Sequence, residues 1–227
     1  MLRKESLLKN LFHRALVLLV LASSLVACAP DAVQRSLEPA KIAFGKVNRI
    51  NVICDKDIWE GPIGDSIRFY YGAAYPILPQ PEPIFDLRHL TVEDLIKDPL
   101  RKELRTYLVV GDLSDQSSDA AALINQDVGT EKIRAAVGDN GYGNSVARNK
   151  WAKGQMIVYL YANSEDKLVE NILNSYSAVA KRLHQEDEKI IEATTFFNGE
   201  NVSLAGEIRS LMDVQMRIPE EFRAAIK

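Results

Sequence analysis

The sequence predicts an α/β fold in which a mixed β-sheet packs against helices. Segments rich in β-branched residues alternate along the chain with segments whose apolar residues recur at helical spacing. Residues 155–162 are apolar on both faces, which is typical of a central strand covered from two sides. Hydrophobic residues make up 47% of the 227 residues and charged residues 26%, so the chain can build a packed core and disorder is excluded. An α+β arrangement of the same elements is the alternative.

Residues 1–27 have the layout of a bacterial signal peptide. Basic residues precede the apolar run 15–26, which is shorter than the roughly 20 residues of a membrane-spanning helix. The run leads into residues 25–28 (LVAC), which resemble the lipobox of bacterial lipoproteins, where the cysteine thiol accepts a diacylglycerol. We therefore expect cleavage after Ala27 and a lipid anchor, palmitate included, on Cys28. A plain secretory signal with an incidental cysteine is the alternative.

Residues 28–46 are predicted to form a flexible tether between the lipid and a folded domain that spans 47–227. The tether contains Pro30, Pro39 and Gly45 and has no clear hydrophobic period. Removing a leader of net charge +3 from a chain of net charge −3 leaves a mature protein of net charge −6. This acidic balance disfavours nucleic acid as a partner. The membrane, contacted through the lipid, is the partner that the sequence predicts.

The domain is predicted to begin with a buried strand, a helix and an extended loop. Residues 49–54 have the β-branched content of a buried strand, and residues 65–75 have apolar side chains at helical spacing. The loop 76–83 holds four prolines, which remove four backbone donors and exclude a helix interior or a central strand. The elements expected next are a strand over 84–90, a helix over 92–97 after Thr91, a strand over 107–110 and a short helix over 131–137.

The second half of the domain is predicted to hold a turn, two strands and two helices. Residues 138–145 have turn composition, and a surface turn is favoured over a phosphate-binding loop because no strand leads directly into them. The strand over 155–162 is expected in the middle of the sheet, and Ser164 is expected to cap a long helix. A helix near 202–212 and a terminal strand over 214–218 complete the pattern.

Three stretches carry a family resemblance: residues 58–65 (IWEGPIGD), 78–85 (LPQPEPIF) and 151–155 (WAKGQ). Together with the lipobox they resemble an uncharacterised family of Bacteroidota envelope lipoproteins, the domain of unknown function 4837. The resemblance spans roughly residue 47 to the end of the chain. It implies a location and a lineage, but no activity. Family members continue past the position that matches 218–222, which implies that this chain lacks a C-terminal portion.

Known catalytic and metal-binding motifs are absent from the sequence. It has no paired cysteine motif, H-E-x-x-H, G-x-S-x-G or P-loop, and outside the leader its histidines are His89 and His184. Asp112, Asp115 and Asp119 lack the ligand spacing of an EF-hand, so a solvated loop is favoured over a calcium site. We therefore predict no catalytic residues, no cofactor and no metal.

The tentative ligand-binding residues are Trp59, Glu60 and Asp65. They follow the first strand, at the edge where open α/β sheets place their ligands, and an exposed tryptophan beside carboxylates suits a sugar or a peptide. The alternative is that Trp59 only packs the first helix against the sheet.

The function expected is a lipid-anchored, non-enzymatic binding module of the bacterial cell envelope, with an envelope protein or a glycan as partner. The outer membrane is favoured over the inner membrane because Ala29 follows Cys28, where some inner-membrane lipoproteins carry aspartate. The alternative is an anchored hydrolase that acts on glycan or peptide with carboxylates of the 59–65 loop. The hydrolase requires two acidic side chains converging in a concave pocket. The binding module predicts an exposed apolar patch near the loop 76–83.

Overall fold

A five-stranded mixed sheet is the centre of the computed structural model, which describes residues 40–225. The α/β prediction is thus confirmed. The strand order is β2-β1-β3-β5-β4; β1, β2, β3 and β5 run parallel and β4 is antiparallel to β5. The strands are β1 (Arg49–Ile53), β2 (Asp86–Leu90), β3 (Thr106–Asp112), β4 (Tyr142–Arg148) and β5 (Met156–Ala162). The predicted signal peptide and Cys28 lie outside the described residues.

Seven α-helices accompany the sheet in the described residues. Helices α1, α2 and α6 pack on one face, and α3, α4 and α5 pack on the other. None of the described helices is long and apolar enough to cross a membrane. The helices are α1 (Lys56–Glu60), α2 (Pro62–Tyr71), α3 (Val92–Lys97), α4 (Asp119–Val128), α5 (Thr130–Val137), α6 (Glu165–Thr195) and α7 (Val202–Met212).

Strand β5 shows why the core has two halves. All seven of its residues are buried. Because side chains alternate across a strand, Val158 and Leu160 face α6, whereas Tyr159 and Tyr161 face α4 and α5. The strand lies between β3 and β4, so the predicted position inside the sheet is confirmed.

The chain leaves β1 and β3 toward opposite faces of the sheet. These strands are parallel neighbours, but β1 is followed by α1 and α2, whereas β3 is followed by α4. Their carboxyl ends therefore form a topological switch point, the place where open α/β sheets bind ligands. The tentative site residues Trp59, Glu60 and Asp65 follow β1 along the chain, on α1 and α2.

Two predicted elements differ from the structure. The turn predicted over 138–145 ends at Gly141, because β4 begins at Tyr142. Alternate residues of β4 are exposed, so the strand lacks the apolar pattern by which a strand is recognised in a sequence. The terminal strand predicted over 214–218 does not form, and the segment makes one isolated bridge, between Glu200 and Pro219. The sequence also left α4 unassigned.

Part of the predicted tether packs against the domain. Ala43 is buried, and its backbone N–H donates to the carbonyl oxygen of Lys153 over 2.8 Å. The backbone N–H of Phe44 donates to the carbonyl oxygen of Glu103 over 3.0 Å. The folded domain therefore begins before residue 47.

Candidate functional site

Trp59 lies beside the carboxyl ends of β1 and β2, where its indole stacks on the ring of His89. The ring centroids are 4.8 Å apart and the planes differ by 2°. The Arg68 guanidinium lies 4.7 Å from the indole centroid and donates to the Trp59 carbonyl oxygen over 3.0 Å. His89 is held in turn, because its Nε2 lies 3.0 Å from the carbonyl oxygen of Cys54. Trp59 is thus half-buried and connects α1 to β2 and α2.

Glu60 and Asp65 lie on helices rather than in a loop. Glu60 is the last residue of α1, and Asp65 lies in the first turn of α2, which begins at Pro62. The predicted loop over 59–65 is therefore wrong: proline at the first helical position suits a second helix, and Gly64 allows α2 to approach α1 closely.

The two carboxylates do not line either of the two grooves described below. Both side chains are exposed, and Asp65 Oδ1 accepts from Arg68 Nη2 over 2.7 Å. The hydrolase requires this acidic pair to converge in a concave pocket, and neither of these two grooves holds it.

Asp55 and Ser118 close the switch point between β1 and β3. Ser118 Oγ donates to Asp55 Oδ2, and it also accepts from the backbone N–H of Ala121, which caps α4. Asp112 is buried rather than solvated, and its Oδ1 accepts from both the backbone N–H and the hydroxyl of Ser114 at 2.8 Å. Sequence reasoning missed Asp55 and Ser118, although each lies just before a helix, as capping residues do. No cluster of metal-binding side chains occurs in the described part of the chain.

A large groove lies on what we call the C-terminal arm, residues 188–225. No residue from 188 to 217 is buried. The groove has a volume of about 800 Å³ and runs between α7 and the segment after it. We call it the C-terminal groove. Its lining is mainly apolar and includes Leu204, Ile208, Leu211, Met216, Ile218 and Phe222.

The C-terminal arm is folded onto itself by polar contacts. Arg217 pairs with Glu192 of α6 over 2.6 Å and with Glu200 over 2.7 Å. The backbone N–H of Asn201 donates to the carbonyl oxygen of Ile218 over 2.8 Å. Even so, Leu211 remains 83% exposed and Phe222 61% exposed. The arm therefore exposes apolar side chains, although its own segments are already held to one another by ion pairs and a backbone hydrogen bond.

A second groove of about 340 Å³ lies between β4 and α6. We call it the β4–α6 groove. Its lining residues are Tyr142, Asn144, Val146, Val158, Asn174, Ser175, Ala178, Val179 and Arg182. Near the loop 76–83, where the sequence predicts an exposed apolar patch, Ile77 is 87% exposed.

Comparison with known proteins gives a family and no activity. A family model described as a domain of unknown function, DUF8532, matches residues 43–195. The chain belongs to this family. The DUF8532 match runs from the segment before β1 to the last residue of α6, so the C-terminal groove lies outside it and the β4–α6 groove lies within it. No curated protein and no solved structure matches the chain. The resemblance to the domain of unknown function 4837 stays a prediction.

Proposed function

We propose that this DUF8532 protein is a lipid-anchored component of a bacterial cell envelope that binds a partner protein and carries out no chemistry of its own. The observation that carries the proposal is the C-terminal groove, an apolar groove of about 800 Å³ on an arm with large exposed hydrophobic residues. A groove lined by large exposed apolar side chains is a common form of protein-binding surface.

The groove suits an amphipathic helix of the partner. One wall is a helix, α7, and the other is the segment after it, so the space between them is an open trough. Glu207 and Arg223, of opposite charge, line the groove on these two walls. A helix with one apolar face bordered by residues of both charges would complement this arrangement.

The anchor in this proposal is Cys28. The lipobox, the short apolar run before it and the basic start of the leader all support lipidation. More than one acyl chain is needed for stable anchoring, and bacterial lipoproteins of this type carry them on the same cysteine. We place the domain on the periplasmic side of a membrane, with the outer membrane favoured by Ala29.

Site-specific photo-crosslinking in the native host tests the groove. A photoreactive amino acid at Leu211 should form an adduct whose peptide maps to an amphipathic helix of the partner. The Ile208→Glu substitution should reduce the adduct at least about tenfold, because it buries a charge in the contact. The control position is Glu131, whose side chain is 87% exposed on α5, far along the chain from the arm. Equal adducts at both positions would contradict the proposal.

Mass spectrometry of the N-terminal fragment, isolated from native membranes, tests the anchor separately. The expected fragment begins at an acylated Cys28, and the Cys28→Ala variant should leave the membrane fraction. An unmodified N-terminus on a freely released protein would reject the anchor but leave the groove proposal standing.

A further inference from the structure

We propose that the outer edge of β4 binds an extended peptide segment of a partner protein, with an acidic side chain placed at Arg182 on α6. This site differs from the C-terminal groove and is independent of it. In the described residues β4 is the last strand of the sheet, so its outer edge has no neighbouring strand. An incoming strand would extend the sheet by one.

The register shows which backbone groups of β4 point outward. The N–H of Asn149 donates to the carbonyl oxygen of Gln155, and the N–H of Asn163 donates to that of Gly141. In an antiparallel pair, successive residues alternate between exchanging backbone hydrogen bonds with the partner strand and pointing their N–H and carbonyl groups away from it. Odd-numbered residues of β4 therefore exchange hydrogen bonds with β5. The N–H and carbonyl groups of Asn144 and Val146 therefore point away from β5, toward the open edge.

The edge is regular enough to serve as a template. Seven consecutive residues of β4 pair one to one with β5, without a bulge. The strand contains no proline and no lysine, although proteins commonly use both to block an edge strand. Val146 is 38% exposed, and its own backbone N–H and carbonyl oxygen have no hydrogen-bond partner within the described residues.

The β4–α6 groove lies on the face of the sheet toward which Asn144 and Val146 point their side chains. Asn144 and Val146, whose backbone groups point outward, also line the groove. Val158 and Val179 give it an apolar floor. A volume of about 340 Å³ is at the lower end of the range for ligand pockets, roughly 300–1,000 Å³. Alternate side chains of an added strand would enter it.

The positive charge of Arg182 indicates that the bound segment carries an acidic side chain. Arg182 lines the groove, and its guanidinium has no ion pair or hydrogen bond within the described residues. The neighbouring Arg148, by contrast, is paired with Glu186 over 2.9 Å. A carboxylate on the added strand would complete the groove with a charge-assisted hydrogen bond to Arg182. The occupant is therefore an extended segment with small apolar residues at alternate positions and one acidic residue in the same alternation.

Fluorescence anisotropy on the purified full-length protein tests this site. The probes are labelled peptides TVTVTET and, for the opposite strand direction, TETVTVT, in which valine and glutamate share one face. The controls are TVTVTKT and TKTVTVT. At least one glutamate peptide should bind about tenfold more tightly than its lysine counterpart, and Arg182→Glu should reverse that preference.

A matched pair of substitutions separates edge binding from other modes. Val146→Pro removes an outward N–H without removing a bond to β5, and should abolish binding; Val146→Thr keeps the N–H and should retain it. If Val146→Pro fails to fold by circular dichroism, the Arg182→Glu reversal decides the proposal. The proposal is overturned if none of the four peptides binds, or if neither Val146→Pro nor Arg182→Glu changes the binding of the glutamate peptide. A dimer in sedimentation that Val146→Pro dissociates overturns it too, since a second copy would then occupy the edge.

Discussion

The backbone N–H of Asn48 donates to Oδ2 of Asp187 over 2.9 Å, which joins the residue before β1 to the C-terminal third of α6. Asn48 has φ of 59°, in the left-handed region that asparagine tolerates better than most residues. Asp187 is buried, and its burial raises the pKa of the carboxyl, while the Asn48 N–H and the nearby His184 and Arg105 act in the opposite direction. The bond holds α6 in place at the cost of desolvating a carboxylate.

The first prediction separates the hydrogen bond from the charge at this position. Asp187→Asn keeps an acceptor for the Asn48 N–H and should leave the free energy of unfolding at pH 7 unchanged or slightly higher. Asp187→Ala leaves that N–H unsatisfied and should cost about 1–3 kcal/mol. Because the folded pKa is raised, the ionised carboxyl is a cost at neutral pH that disappears as the pH falls. Denaturant titrations at pH 7 and pH 4 should therefore show the wild type approaching Asp187→Asn at the lower pH. Equal losses in both variants would contradict this account.

The second prediction concerns Glu186, the next residue along α6. Hydrogen bonds from Arg148 and Lys189 lower the pKa of Glu186 to about 2. A lowered folded pKa means that the carboxylate stabilises the fold fully above its ordinary value and loses this contribution as the pH falls toward 2. Glu186→Gln should lower the free energy of unfolding at pH 7 by up to about 1 kcal/mol, and by almost nothing at pH 2. Glu131→Gln is the control and should have little effect at either pH. A constant effect of Glu186→Gln across this range would reject the electrostatic explanation.

The third prediction concerns the close approach of α1 and α2. A Cβ at Gly64 would lie 1.8 Å from the carbonyl oxygen of Trp59, a backbone atom that cannot rotate away. Gly64→Ala should therefore destabilise the domain by about 3 kcal/mol or more, measured by thermal or denaturant unfolding. Gly206→Ala, in α7, meets nothing within 4 Å and should change stability by less than about 1 kcal/mol. If both variants melted together, the contact between α1 and α2 would not matter to the fold.

Local signals in the sequence account for the elements that were predicted well. The Thr91 side chain accepts from the N–H of Asp94 in a capping box, and α3 has the predicted bounds. Ser164 accepts from the N–H of Lys167 at the start of α6. Strand β5 carries its own signal, because both of its faces are covered. In contrast, β4 has exposed alternate residues, so its polar composition resembles a turn until a neighbouring strand is known.

The candidate sites depend more on tertiary contacts than on local signals. Trp59 could be singled out because it follows the first strand, but its stacking partner, His89, lies 30 positions along the chain. No local sequence pattern predicts that pairing or the contact between Asp55 and Ser118. The β4–α6 groove was missed for the same reason: its walls are two separate elements, and one of them was not recognised as a strand.

The last prediction concerns the thiol of Cys54 at the end of β1. The side chain is fully buried, and burial, followed by the charges of Asp55 and Asp57, raises the pKa of the thiol to about 12. Since the thiolate is the reactive form, Cys54 in the folded domain should resist a thiol reagent at pH 8. In the Cys28→Ala background it is the one remaining cysteine, so labelling reports on it alone. We expect labelling to be at least about a hundredfold slower in buffer than in denaturant, with exposed Ser203→Cys as the fast control. Rapid labelling of the folded protein would mean that the end of β1 unfolds locally with ease. The contacts of His89 with Cys54 and Trp59 would then not protect the thiol.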